Sequence, residues 1–245
     1  MEFRQERVEI RIGITTSFEA QEQRLHHSYV QAVEGAGGLP VIVPILEHEA
    51  SVRALTAWLD GLVIPGGPAI TDGLIGTLPD DLSETDPRRL TADKRLLGAF
   101  LAARKPILGI CYGMQLMNAY AGGAIYADVE SQVASALVHS QKRGACTHPV
   151  VLAEGSHLRA LLGQDEIEVN TRHIQAIATT GAGFRVAATA PDGVIEAIEN
   201  EDGTLLGLQF HPERMGTTMH PLFRHLIEQA QAQRMTRNAV LDVPT

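Results

Sequence analysis

The sequence predicts an α/β fold, an open, doubly wound, mostly parallel sheet flanked by helices, with an added antiparallel section. Three observations predict it. Short apolar runs alternate with helix-spaced apolar stripes from Val8 to Ala121, a pattern that places parallel strands between covering helices. Beyond the last of those helices the chain becomes strand-rich, with glycine-containing turns between its runs. A length of 245 residues with 44% hydrophobic side chains is enough to cover both faces of one sheet, so one domain over residues 1–245 is expected.

Taken in order, Val8 to Ile14, Pro40 to Val43, Gly61 to Ile64 and Pro106 to Ile110 read as strands. Between them Leu25, Tyr29, Ala32, Val33 and Ala36 recur at helical spacing and stop at Gly37-Gly38, and Val52, Leu55, Leu59 and then Leu96, Leu97, Phe100, Leu101 repeat the pattern. A helix from about Tyr112 to Ala121 follows. Val150 to Leu152, Ile167 to Val169, Phe184 to Ala190, Val194 to Ile198 and Leu205 to Phe210 then read as strands, joined in part by the turns Pro191-Asp192-Gly193 and Glu201-Asp202-Gly203. A last helix is expected from about Met219 to Arg234. The core is then 8–233, with 235–245 as a frayed tail.

A net charge of -9 argues against nucleic acid or an anionic membrane as partner and favours a small molecule. The charged start Met1 to Arg7 lacks a secretory apolar stretch, and no 18-residue apolar run occurs, so a cytoplasmic protein is expected. A homodimer is allowed but not required. With two cysteines only, Cys111 and Cys146, a disulfide framework is not expected.

The chemistry concentrates at Leu108-Gly109-Ile110-Cys111-Tyr112-Gly113, which reads as strand, sharp turn and helix start. A side chain at such an elbow projects from the strand end, and Gly109 and Gly113 let strand and helix approach closely. The helix N-terminus favours thiolate over thiol. His211 ends the run Leu205 to Phe210 and precedes Pro212, which stops the strand; Glu213 lies two residues on, placed to orient the imidazole. Cys111, His211 and Glu213 are therefore the expected nucleophile, acid/base and orienter. The glycine turn of Pro65-Gly66-Gly67-Pro68 follows another strand, and the amide of Gly66 or Gly67 would join that of Tyr112 as an oxyanion hole. His26-His27, with Glu19 and Glu22 nearby, read as a helix whose adjacent positions do not share a face. His139, His148, His157, His220 and His225 have no paired ligands at metal-like spacing, and neither a metal nor a cofactor is expected.

Together, Gly109-x-Cys111-x-Gly113-x-Gln115 and His211-Pro212-Glu213 resemble the class I glutamine amidotransferase superfamily. Within it the chain is similar to the γ-glutamyl-γ-aminobutyrate hydrolase family, peptidase C26. Tyr29 to Pro40, Gly113 to Asn118 with Gly122-Gly123, Glu168 to Ala176 and Ala190 to Ala197 carry that narrower resemblance, which spans Val8 to Gln233. The resemblance implies a flavodoxin-like fold of the class I amidotransferase type and cleavage of a γ-glutamyl amide through a cysteine thioester. The alternative is a glutaminase subunit that delivers ammonia to a separate synthase. It also implies that Gln115 contacts the glutamyl group and that Asn170, Arg172 and His173 form the pocket wall. Tyr112, Arg172 and Ile174 depart from what is common in the family and are expected to add an aromatic face, a cation and an apolar surface on the amine side.

Overall fold

In a computed structural model, residues 9–241 are described. The chain opens with β1 (Arg11–Thr15), a hairpin of β2 (Ser17–Glu19) and β3 (Glu22–Arg24), α1 (His27–Gly35), β4 (Leu39–Val43), α2 (Glu49–Trp58) and β5 (Gly61–Ile64). It continues through β6 (Leu74–Ile75), α3 (Pro87–Ala102), β7 (Ile107–Ile110), α4 (Tyr112–Tyr120), β8 (Ala124–Tyr126) and α5 (Val129–Gln132). The strand-rich half comprises β9 (Thr147–Leu152), α6 (His157–Leu162), β10 (Glu166–Asn170), β11 (Ala176–Thr179), β12 (Arg185–Thr189), β13 (Ile195–Glu199) and β14 (Leu205–Leu208), and α7 (His220–Leu241) closes the described chain.

The main sheet runs β10-β9-β12-β13-β14-β7-β5-β1-β4, with β11, β8 and β6 attached beside β13. From β14 to β4 every pairing is parallel, and from β14 to β10 every pairing is antiparallel. This is the α/β arrangement the alternation predicts. The central strands β5 and β7 are buried along their whole length, which is why they appear in sequence as unbroken apolar runs. Helix α1 buries Tyr29, Ala32 and Val33 and stops before Gly37, whose φ of 94° a side chain would disfavour. Helix α3 starts where the Asp86 carboxylate accepts the Arg88 N–H and Pro87 takes the first turn.

The structure differs from expectation in several places. The hairpin β2-β3 turns through Ala20 and Gln21 at φ of 49° and 66°, a conformation usually signalled by Asn-Gly. Consequently Glu19 and Glu22 lie on a hairpin, and His26 is the cap of α1 rather than part of the helix: its Nδ1 accepts the Ser28 N–H. Strands β6, β8 and β11 and helix α6 also join the expected elements. Helix α7 continues beyond Arg234 to Leu241, so most of the expected tail is helical. Val8 and the residues after Leu241 lie outside the described residues. Among the described residues no helix is long and apolar enough to cross a membrane.

Candidate active site

Three neighbouring parallel strands deliver the site. β7 lies between β14 and β5, with Ile110 beside Leu208 on one side and Gly109 beside Ile64 on the other. Their carboxyl ends lead to Cys111, to His211 and to the Pro65-Gly66-Gly67 turn. Cys111 has φ 51° and ψ -101°, a strained conformation for a side chain other than glycine, between the last residue of β7 and the first of α4. The elbow depends on the absence of two side chains: a Cβ on Gly113 would lie 2.1 Å from the Ile64 carbonyl oxygen, and one on Gly109 would lie 2.6 Å from Gly113 itself. The close approach of strand and helix read from the sequence is thus a steric requirement.

His211 Nδ1 lies 2.8 Å from Glu213 Oε1, which leaves Nε2 for the sulfur. Burial pushes the imidazole pKa down, but Cys111 and Glu213 outweigh it and raise the value to about 9. Gly66 makes room for the ring, since a Cβ there would sit 2.6 Å from His211 Cε1. Asn170 holds the backbone on either side of the same residue: its Nδ2 donates to the His211 carbonyl at 2.8 Å and its Oδ1 accepts the His211 N–H at 2.9 Å. Both ends of that amide are used on His211, so Asn170 positions the histidine instead of lining the pocket as the resemblance implied.

The glycine turn is fixed from two directions. Gly66 N–H donates to Tyr29 Oη at 3.0 Å, so of the amides expected to form an oxyanion hole it is the one already engaged, and those of Gly67 and Tyr112 remain as candidates. Tyr29 Oη also lies 3.4 Å from His211 Nδ1, and burial together with the Glu213 charge raises the phenol pKa well above its ordinary value, keeping it neutral. From below, Arg89 Nη2 donates to the Pro65 and Gly66 carbonyls at 3.1 and 3.2 Å while Nε pairs with Asp93 at 3.2 Å, all of it buried. Sequence reasoning missed both supports: Tyr29 reads as one member of an apolar helical stripe, and an arginine on an amphipathic helix reads as surface. The spacing of Arg89 and Asp93, four residues apart on one helix, was the available signal.

The cleft over Cys111 has a volume of about 960 Å³ and is lined by Phe18, Gly67, Gln115, Arg172, His173 and Ile174 among others. Gln115 sits in a buried amide chain: its Nε2 donates to the Gln175 carbonyl and to Gln209 Oε1, both at 3.1 Å, and Gln209 Nε2 donates to Cys111 Sγ at 3.6 Å. Gln209 therefore adds a donor to the sulfur that the strand-like run Leu205 to Phe210 did not reveal. A smaller recess of about 280 Å³, sharing Cys111 and Arg172 with the cleft, is lined also by Tyr29, His211 and Arg214. Arg172 and Ile174 line the cleft, but Tyr112, expected to add an aromatic face there, does not. Its ring is fully buried with the Arg89 guanidinium 4.0 Å above it, and the aromatic side chain on the wall is Phe18.

His173 touches the cleft but turns its ring inward. Its Nε2 faces Glu196, as do His139 and His148, and the four residues form a buried cluster whose donor atoms lie within 4.8 Å of one another. The expectation that His139 and His148 have no paired ligands at metal-like spacing is corrected here. The partners come from separate segments that only the folded sheet brings together. Cys146 is exposed.

Residues 9–213 match the family model described as Peptidase C26. The chain is 35% identical over 197 residues to the glutamine amidotransferase-like protein YvdE of Lactococcus lactis, covering 79% of this chain and 82% of that one. It is 32% identical over 217 residues to the γ-glutamyl-γ-aminobutyrate hydrolase PuuD of Escherichia coli, covering 84% of each. Among solved structures, a GMP synthase subunit from Thermoplasma acidophilum shares the fold with a TM-score of 0.65 at 19% identity, covering 94% of this chain and 98% of that one. With the elbow, the strand-end histidine and nearly the whole length accounted for, the chain belongs to the peptidase C26 family of amidotransferase-like hydrolases.

Proposed function

We propose that the protein hydrolyses γ-glutamyl amides through a thioester on Cys111 and does so without a synthase partner. The observation that carries this reading is a positive-φ cysteine between the strand ends that supply His211 and the Gly66-Gly67 turn. The Cys111 thiolate adds to the γ-carbonyl carbon, and the N–H groups of Gly67 and Tyr112 receive the oxyanion. As the tetrahedral adduct collapses, the C–N bond breaks and His211 gives its proton to the departing amine. The neutral imidazole then takes a proton from water, hydroxide adds to the thioester, and the C–S bond breaks to free glutamate and restore the thiolate. Glu213 keeps the imidazole oriented and charged between these steps.

The two halves of the substrate meet different chemistry. Gln115 has both its N–H donors engaged inside the protein, and its carbonyl oxygen is the acceptor available to a glutamyl ammonium. On the amine side, Arg172 and Arg214 line the smaller recess, which suits a leaving amine that carries a carboxylate better than a polycation. The name of the E. coli relative supports the same class of amine. Glutamate release by the purified protein from glutamine and from γ-glutamyl conjugates of γ-aminobutyrate, an alkylamine and a polyamine tests the proposal. Turnover of the protein alone, fastest with the carboxylate-bearing conjugate, is expected; glutamate release only in the presence of an added synthase overturns it.

A further inference from the structure

We infer that His139, His148, His173 and Glu196 bind a four-coordinate transition metal ion, with zinc the best match, that fastens the cleft wall to the antiparallel half of the sheet. Each side chain comes from a different segment. His148 is on β9, Glu196 on β13, His173 on the loop between β10 and β11, and His139 on the loop that follows α5. All four are buried, and Glu196 is fully so. Glu196 Oε1 lies 3.3 Å from His173 Nε2, 3.4 Å from His139 Nδ1 and 3.5 Å from His148 Nε2. Ligands about 2.0–2.1 Å from a tetrahedral ion sit roughly 3.3 Å from one another. The carboxylate-to-nitrogen edges already have that length, and every pair of donor atoms lies within 4.8 Å, so the nitrogens have to draw in by at most about 1.5 Å.

The outer nitrogens carry the inference further. His139 Nε2 is held by Asp192 Oδ2 at 2.8 Å, His148 Nδ1 by the Pro149 carbonyl at 3.1 Å and His173 Nδ1 by the Gln175 carbonyl at 2.9 Å. An acceptor on one ring nitrogen fixes the proton there and turns the other nitrogen's lone pair away from it. In all three rings the nitrogen so freed faces Glu196. Those three nitrogens and both Glu196 oxygens have no hydrogen-bond partner. A single proton on one histidine would satisfy one nitrogen and leave two lone pairs pointing at a buried carboxylate, whereas one dication satisfies all four groups, its charge matched by Glu196 together with the Asp192 carboxylate behind His139. Three imidazoles favour zinc-like ions over magnesium or calcium. Four buried protein ligands describe a structural site, not a catalytic one. The site reaches the cleft through His173, which lines it and whose backbone N–H donates to the His139 carbonyl at 3.0 Å; the Thr171 hydroxyl donates to the same carbonyl at 2.6 Å.

The test is metal content and thermal stability, neither of which requires turnover. Protein expressed with added zinc and dialysed against metal-free buffer is expected to carry about one equivalent per chain by inductively coupled plasma mass spectrometry, and to lose melting temperature when stripped by dipicolinate. Zinc should restore that temperature at one equivalent, and cobalt should give the visible bands of a tetrahedral ion. His148→Ala and Glu196→Gln should lose the metal, while Cys111→Ala should keep it. Wild-type protein that holds less than about a tenth of an equivalent, and whose melting temperature ignores added zinc and cobalt, overturns the inference whether or not the variants fold. So does loss of the metal in Cys111→Ala, which would place the ion on the thiolate.

Discussion

Two clusters of histidine and carboxylate sit in this fold, and they are built for opposite ends. In the first, His211 and Glu213 are two residues apart at the end of a parallel strand, with one ring nitrogen on Glu213 and the other directed at a cysteine that opens on a cleft. In the second, His139, His148, His173 and Glu196 come from distant segments, each outer nitrogen is tied back to the protein, and the inner ones converge on a closed centre. A proton-transferring histidine needs one nitrogen left for the reacting atoms. A histidine whose free nitrogen faces a buried carboxylate has no reacting atom within reach.

The largest effects should come from the open cluster. Cys111→Ala is expected to reduce kcat/KM by at least about ten-thousandfold and His211→Ala by at least about a thousandfold, with Glu213→Gln distinctly milder because it orients without transferring a proton. Steady-state glutamate release measures all three. A His211→Ala enzyme as fast as wild type would move the base to another histidine and dissolve the contrast between the clusters.

Next in size is specificity. Arg172→Ala should slow γ-glutamyl conjugates of carboxylate-bearing amines by about 10- to 150-fold, the equivalent of one charge-assisted hydrogen bond of about 1.5 to 3 kcal/mol, and leave neutral amines nearly unchanged. Equal losses across the panel would take Arg172 out of the amine site.

The pH dependence sharpens the comparison from another side. His211 titrates near 9 in the folded protein against an ordinary value of 6.5, so its proton stabilises the fold. That contribution is fully present below about 6.5 and is lost as pH rises through about 9. The difference in unfolding free energy between wild type and His211→Asn should therefore shrink across that interval in denaturant titrations. A difference that grows with pH would have the wrong sign for an imidazolium paired with Cys111 and Glu213. The smallest effect concerns Gln209, whose N–H reaches the sulfur: Gln209→Leu should slow iodoacetamide alkylation of Cys111 by about two- to tenfold, the range of one hydrogen bond, while leaving exposed Cys146 unaffected.

How much of this was legible in sequence follows from what local sequence encodes. Buried parallel strands leave unbroken apolar runs, so Gly61 to Ile64 matches β5 residue for residue, and the elbow is visible because Gly109 and Gly113 have no room for a Cβ. The β2-β3 hairpin was invisible because Ala20 and Gln21 adopt positive φ against their own preference, held by the pairing around them. Asn170, Tyr29 and Arg89 were not assigned their supporting roles because these rest on contacts with residues distant in the chain. The buried quartet was hidden for the same reason. Spacing rules detect ligands on one helix or one hairpin, and these four meet only once β9, β13 and two loops are assembled.

The central claim, a covalent step on Cys111, is tested most directly by acid-quenching the enzyme during turnover of a γ-glutamyl amide and mapping the peptide masses. A glutamyl group carried as a thioester on the peptide containing Cys111, absent from Cys111→Ala, is the predicted result. Sustained glutamate release by Cys111→Ala, with no adduct in either protein, would contradict it.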